Sequence, residues 1–117
     1  MRIYSLGLLL LACLSSFADA TATREPVYTN QRTASQLYRR HCVSCHGSDG
    51  RAKTSKGKFS HARDLSDPQW QREVSDERIF NSIMNGRSVR GNMPAFANKL
   101  NEKEVNSLVS FVRGLKG

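Results

Sequence analysis

The sequence has little of what large or cross-linked folds require. Its 117 residues include three cysteines and three prolines, and aromatic residues make up 8% of the chain. Three cysteines are too few for a disulfide scaffold, and the length is too short for a dinucleotide-binding enzyme or a barrel enzyme. No apolar run reaches the roughly 20 residues of a membrane-spanning helix. We therefore expect one small domain.

Acidic residues are also scarce. The chain has 10 Asp and Glu against 18 Lys and Arg, which gives a net charge of +8. Such an excess favours acidic partners, either proteins or nucleic acids. The overall charged content of 24% is ordinary and argues against a wholly disordered chain.

Residues 1–20 have the features of a secretory signal peptide. Arg2 supplies a positive charge, residues 3–14 form a short apolar run, and Ala18-Asp19-Ala20 offers a cleavage site before Thr21. This predicts an exported, periplasmic protein, for which nucleic acid is not an expected partner. The sequence Leu10-Leu11-Ala12-Cys13 offers an alternative, in which Cys13 is lipidated and tethers the protein to a membrane.

Helical signals, but no strand pattern, follow the signal peptide. Four segments begin with capping residues: Thr33 with Gln36, Asp67 with Pro68, Ser75, and Asn101 with Glu104. The first helix is predicted to run to about Cys45 and to end at Gly47. Residues 47–66 are predicted to be a polar loop without secondary structure. We expect a flexible arm over residues 21–32 and an all-α domain over residues 33–117.

The sequence Cys42-Val43-Ser44-Cys45-His46 has the C-x-x-C-H spacing of covalent haem attachment. Helix positions three and four apart share a face, so Cys42 and Cys45 can both reach the vinyl groups on one porphyrin edge. His46 is then placed to bind the iron through a neutral ring nitrogen. The motif predicts one covalently bound haem c. A redox-active dithiol, a zinc site or a simple disulfide are the alternatives, but no strand precedes the motif and no second ligand pair follows it.

A haem iron has a second axial position, for which Met93 is the candidate. Met93 lies beside Pro94 in an irregular segment, where helix packing does not explain a methionine. Met84, by contrast, lies on a helical apolar stripe. His61 is the rival ligand, and His41 is predicted to be exposed on the far side of the attachment helix.

These motifs resemble those of class I monohaem c-type cytochromes of bacterial respiratory chains. The resemblance covers Thr33 to Leu115 and rests on the C-x-x-C-H-Gly sequence, on Asn92-Met93-Pro94-Ala95-Phe96 and on the closing helix. It implies a cytochrome c-like fold in which the N- and C-terminal helices cross and long loops enclose the haem. Leu37 and Tyr38 would pack against three residues of the last helix: Leu108, Phe111 and Val112. Five side chains would line the haem cleft: Leu65, Trp70, Ile79, Ile83 and Phe96.

One feature departs from this family. Its members usually have a proline soon after the C-x-x-C-H motif, whose carbonyl accepts the histidine N–H. Here the first proline after the motif is Pro68, so the hydrogen-bond partner of His46 is not predicted.

Ligation by His46 and Met93 suits a carrier of single electrons between respiratory or oxidoreductase partners, rather than an enzyme. We expect a monomer that docks on acidic patches of redox proteins. The candidate contacts are basic: Lys53, Lys56, Lys58, Arg63, Arg87 and Arg90. A haem-binding sensor and a haem subunit of a larger oxidoreductase complex are the alternative functions.

Overall fold

The structure is a computed structural model, and it describes residues 32–115. Within this range the chain forms six helices: α1 (Ala34–His41), α2 (Val43–His46), α3 (Ser55–Phe59), α4 (Pro68–Glu73), α5 (Asp76–Asn85) and α6 (Glu102–Arg113). These residues contain no extended strand, only one isolated antiparallel bridge between Arg87 and Met93. The all-α prediction is confirmed. The predicted signal peptide, Cys13 and residues 21–31 of the predicted arm lie outside the described residues.

The predicted capping residues begin their helices. Thr33 and Gln36 form a reciprocal capping box, as do Asn101 and Glu104. The side chains of Asp67 and Ser75 cap α4 and α5 without a reciprocal bond, each accepting one backbone N–H, from Trp70 and Arg78. Local side-chain chemistry therefore determines where four of the helices start.

The structure differs from the prediction in the first helix, which has a break, and in the loop after it, which contains a further helix. The helix is interrupted at Cys42, whose φ of −115° separates α1 from α2. The predicted loop 47–66 contains α3, so its description as wholly irregular was wrong. The Thr54 hydroxyl accepts the Gly57 N–H and also donates to the Ser44 and Cys45 carbonyl oxygens, at 2.8 and 3.0 Å. Because Thr54 binds both helices, α3 is held against α2.

The core forms where α1 packs against α6. Leu37 and Leu108 are fully buried there, and the rings of Tyr38 and Phe111 lie 4.8 Å apart. Val112 is buried in the same cluster. The predicted contact between the N- and C-terminal helices is confirmed.

The far end of α6 is joined to α4 and α5 by a polar network. The buried Gln71 amide donates to the carbonyl oxygens of Leu65 and Val112, at 2.7 and 2.9 Å. The Arg113 guanidinium donates to the Val74 carbonyl and to Asp76. These bonds fix the helices that flank the cavity described below. No helix within residues 32–115 has the length and apolarity needed to cross a membrane.

Candidate functional site

A large cavity opens beside α2 and brings the predicted site residues together. Its volume is about 910 Å³, within the roughly 300–1,000 Å³ of typical cofactor sites. The candidate haem-binding residues all line it: Cys42, Cys45, His46 and Met93. The predicted cleft residues line it as well: Leu65, Trp70, Ile79, Ile83 and Phe96. One cavity thus collects residues that are far apart in sequence.

The break between α1 and α2 shapes the two-cysteine segment. The N–H groups of Cys45 and His46 both donate to the Cys42 carbonyl, at 3.1 and 2.9 Å. This tight turn holds Cys42, Cys45 and His46 along one wall of the cavity. Burial, together with the neighbouring Cys45, raises the pKa of the Cys42 thiol to about 12. A catalytic dithiol needs a thiol with a lowered pKa, so the burial that raises the Cys42 pKa does not favour the redox-dithiol alternative.

His46 is buried and held in a defined orientation. Its Nδ1 lies 2.9 Å from the backbone carbonyl oxygen of Arg63. A carbonyl can only accept a hydrogen bond, so Nδ1 carries the proton and Nε2 is left with a free lone pair. Burial lowers the pKa of His46, against the raising effect of the Arg63 hydrogen bond. The hydrogen-bond partner of His46, which the sequence did not predict, is therefore the backbone carbonyl of Arg63. The Arg63 side chain takes no part in this bond.

The short helix α3 packs against α2, which carries Cys45 and His46. Gly57 is buried, and a methyl group on its Cα would overlap the Cys45 carbonyl oxygen. Only glycine allows α3 to approach α2 so closely. Sequence reasoning did not single out this residue. The capping of the Gly57 N–H by the Thr54 hydroxyl could have indicated the start of α3, but it does not indicate that residue 57 must be glycine.

Met93 reaches the cavity on a folded loop, residues 86–96, here called the methionine loop. Arg87 and Met93 exchange both backbone hydrogen bonds, at 2.8 and 3.0 Å. The Phe96 N–H donates to the Ile83 carbonyl at the end of α5, which anchors the end of the loop. Two features require glycine at position 86. Its φ of +71° is unfavourable for other residues, and a Cβ there would overlap the Met93 carbonyl oxygen. Met93 is half-buried and lines the cavity.

The other two histidines differ in environment. His61 also lines the cavity and is exposed, with an unusual φ of +54°. His41 was predicted to be exposed, and this is wrong, because it is half-buried with its ring edge-on to Phe96 at 5.7 Å. The break at Cys42 and the packing of Phe96 account for the difference. Burial, followed by the nearby Arg40 charge, lowers the pKa of His41.

The donor set of the cavity fits a haem c. Two thiols, the His46 imidazole and the Met93 thioether line a cavity of sufficient size, and His41 and His61 line it as well. The His46 ring is fixed by a carbonyl, as metal-binding imidazoles usually are. Within residues 32–115, no three His, Cys, Asp or Glu side chains come together as ligands of one ion, which disfavours the zinc alternative.

Comparisons with known proteins show that the chain is similar to c-type cytochromes. The family described as cytochrome C oxidase, cbb3-type, subunit III matches residues 29–112. The solved structure of the KustC0563 c-type cytochrome is 41% identical, with a TM-score of 0.67, and covers 74% of this chain and 100% of its own. A mutant of that cytochrome matches similarly, with 40% identity and a TM-score of 0.65, over 73% of this chain and 100% of its own.

Two curated oxidase subunits are also similar. The cbb3-type cytochrome c oxidase subunit FixP of Rhizobium etli is 33% identical over 82 residues. Subunit FixPc of Rhizobium leguminosarum bv. viciae is 32% identical over the same length. In both cases the match covers 70% of this chain, which spans only 26% of the length of the relative.

Proposed function

This chain belongs to the family of cytochrome c oxidase, cbb3-type, subunit III, and its described part is a c-type cytochrome domain; we propose that it carries single electrons between redox proteins through one covalently attached haem. The fold class and the family identify the cytochrome. The ligands, the partners and the location in the cell are part of the proposal.

Four side chains have distinct proposed roles. The Cys42 and Cys45 sulfurs would hold the haem covalently, as thioethers to its two vinyl groups. His46, through its Nε2, and Met93, through its sulfur, would bind the iron. When bound, the haem supplies an iron that alternates between the ferric and ferrous states. The surrounding apolar residues exclude water from the site.

The observation that carries this proposal is the arrangement around His46. The Arg63 carbonyl fixes Nδ1 as a donor, so Nε2 is the basic nitrogen. Met93 lines the same cavity on a loop that is anchored to the end of α5. Binding of the iron by both His46 and Met93 would leave no position for a substrate, which suits electron transfer rather than catalysis or ligand sensing.

A visible spectrum of the exported protein, oxidised and reduced, tests the proposal. We expect a low-spin c-type spectrum and haem that remains on the chain after denaturation. A ferric band from sulfur–iron ligation should disappear in Met93→Leu. Met84→Leu is the matched control, because Met84 is half-buried on α5 and does not line the cavity. Retained haem with a high-spin spectrum in the wild type would instead indicate an open site and a sensor.

We also propose that the protein is exported and that its redox partners are acidic. A signal peptide over residues 1–20 would deliver the protein to the periplasm, as a monomer, where its basic surface would steer it to acidic redox partners. Mass spectrometry of the mature N-terminus decides between the two processing routes. A start at Thr21 supports simple cleavage, and a lipid-modified Cys13 would tether the protein to a membrane.

A second candidate function is a haem subunit of a larger oxidoreductase. The curated relatives are named as oxidase subunits, and this observation favours it. Native mass during purification from the original cells separates the two. A mass near that of the single chain supports the free carrier, and co-purification with an oxidase supports the subunit.

A further inference from the structure

One polar atom of His41 is buried without a partner. Among residues 32–115, the His41 Nε2 is the one buried side-chain nitrogen or oxygen that makes no hydrogen bond. Buried polar groups in folded proteins are almost always hydrogen-bonded, so an exception requires an explanation. The His41 side chain lines the cavity at the end of α1, and none of the roles described above uses it.

The burial of Nε2 selects the neutral form of the His41 ring. A neutral imidazole has a single N–H, which Nδ1 can carry, so that Nε2 holds only a lone pair. A protonated imidazole has an N–H on both nitrogens, and the one on Nε2 would lie in a buried position without an acceptor. The ring can therefore take up a proton only if it turns towards solvent.

The charges around His41 act mainly in the same direction. Burial is the largest cause of its lowered pKa, and Arg40, Arg32 and Lys99 lower the pKa further. The Glu104 carboxylate raises it, but Arg32 already binds this carboxylate at 2.7 Å. These groups come from each segment around the ring: the residue before α1, α1 itself, the turn before α6, and α6. Three positive charges against one negative charge disfavour a further proton at this position.

The His41 ring packs against the residue that anchors the methionine loop. It lies edge-on to Phe96, with ring centroids 5.7 Å apart, and the Lys99 Nζ lies 5.8 Å from the same Phe96 centroid. Phe96 is buried, and its N–H donates to the Ile83 carbonyl at the end of α5. Because Phe96 follows Met93 by three residues, its position determines how the end of the loop is held. A His41 ring that turns towards solvent removes one contact of this anchor.

We propose that His41 is a positioning residue, whose neutral ring holds Phe96 and, through it, Met93, and whose protonated ring leaves this contact and loosens the methionine loop. This inference rests on the proposed function, because it concerns how firmly Met93 is held. The pKa of His41 is lowered in the closed loop and returns towards the ordinary value of about 6.5 in the open loop. A proton therefore binds the open loop more tightly, so the closed loop is favoured above about pH 6.5 and weakened as pH falls below it.

Carbon monoxide is a suitable probe, because it is uncharged at every pH and binds a reduced haem only where Met93 has left the iron. Its apparent affinity therefore scales with the fraction of molecules whose loop is open. The association constant is measured by visible absorbance on the reduced, haem-loaded protein at pH 8 and at pH 5. We expect the wild type to bind carbon monoxide roughly fivefold or more tightly at pH 5. His41→Phe keeps an aromatic contact to Phe96 but has no titratable nitrogen, and its affinity should change by less than about twofold.

The matched control is His61→Asn. His61 also lines the cavity but is exposed, and asparagine tolerates its φ of +54°. This variant should keep the pH dependence of the wild type. Lys99→Gln removes a positive charge that opposes protonation of His41, so it should move the midpoint of the pH profile to higher pH. Lys103→Gln makes the same change at an exposed position of α6 and should leave the midpoint unchanged.

Two outcomes would overturn the proposal. A wild-type affinity that is the same at pH 8 and pH 5 would mean that no titration loosens Met93, whether or not the variants fold. Equal pH dependence in the wild type and in His41→Phe would assign the titration to another group. Failure of the proposed function gives a different result, because carbon monoxide would then bind the wild type as tightly as Met93→Leu at every pH.

Discussion

Replacing Gly57 by alanine tests how closely α3 supports the attachment segment. An added methyl group would overlap the Cys45 carbonyl oxygen and would lie 2.9 Å from both the Ala52 carbonyl oxygen and the Thr54 hydroxyl. Two of these three neighbours are backbone atoms, which cannot rotate away. Helix α3 must therefore shift away from α2, which carries Cys45 and His46.

Two effects of opposite sign determine the size of the change. Alanine in place of a helical glycine stabilises by about 0.5–1 kcal/mol. An extra methyl in a packed site costs about 1–3 kcal/mol, and rigid neighbours place this site at the upper end. We expect a net loss of about 2 kcal/mol in the free energy of unfolding. For a domain of this size, that corresponds to a melting temperature lower by roughly 8–16 °C.

Thermal unfolding of the haem-loaded protein, followed by circular dichroism, is the assay. Gly114→Ala is the milder control, because Gly114 is exposed with an ordinary φ of −77° and its Cβ would make one tight contact, 3.2 Å from the Phe111 carbonyl oxygen, rather than an overlap. It should change stability by less than about 0.5 kcal/mol. A Gly57→Ala protein that melts at or above the wild-type temperature would refute the close-approach argument.

Two further changes test the polar contacts that hold the helices. Gln71→Leu leaves the buried Leu65 carbonyl without its donor, and we expect a loss of about 1–3 kcal/mol in urea unfolding; an unchanged midpoint would contradict it. The Asn101 backbone N–H and the Arg32 guanidinium hold the pKa of Glu104 below its usual range, even though burial opposes them. This stabilisation is complete above the unfolded-state pKa and is lost as pH falls through the folded one. The advantage of wild type over Glu104→Gln should therefore shrink below about pH 4.3; a constant difference between pH 7 and pH 3 would argue against the ion pair.

Much of the site was predictable because its chemistry is local in sequence. The C-x-x-C-H spacing places Cys42, Cys45 and His46 within one tight turn, whatever surrounds them. The isolated character of Met93, beside a proline and outside any helix, identified a second candidate ligand. That both sets line one cavity depends on the methionine loop folding back onto α5, which the sequence implied only through the family resemblance.

Other features were not accessible from sequence patterns. His41 was predicted to be exposed because helical spacing places it opposite Cys45, but the break at Cys42 changes the direction of the chain. The Arg63 carbonyl binds His46 from 17 residues away. Any residue except its neighbours can supply a backbone carbonyl, so no side chain marks the position.

The sequence alone determined four of the six helix starts between residues 32 and 115, the all-α class, the excess of basic residues and the haem attachment motif, because each depends on composition or on side chains within a few residues of one another. Only the tertiary structure decided which carbonyl orients His46, why residue 57 must be glycine, and that His41 packs against Phe96. Those relations join residues that are distant in the chain. They exist only once α3 has packed against α2 and the methionine loop has closed over the end of α5.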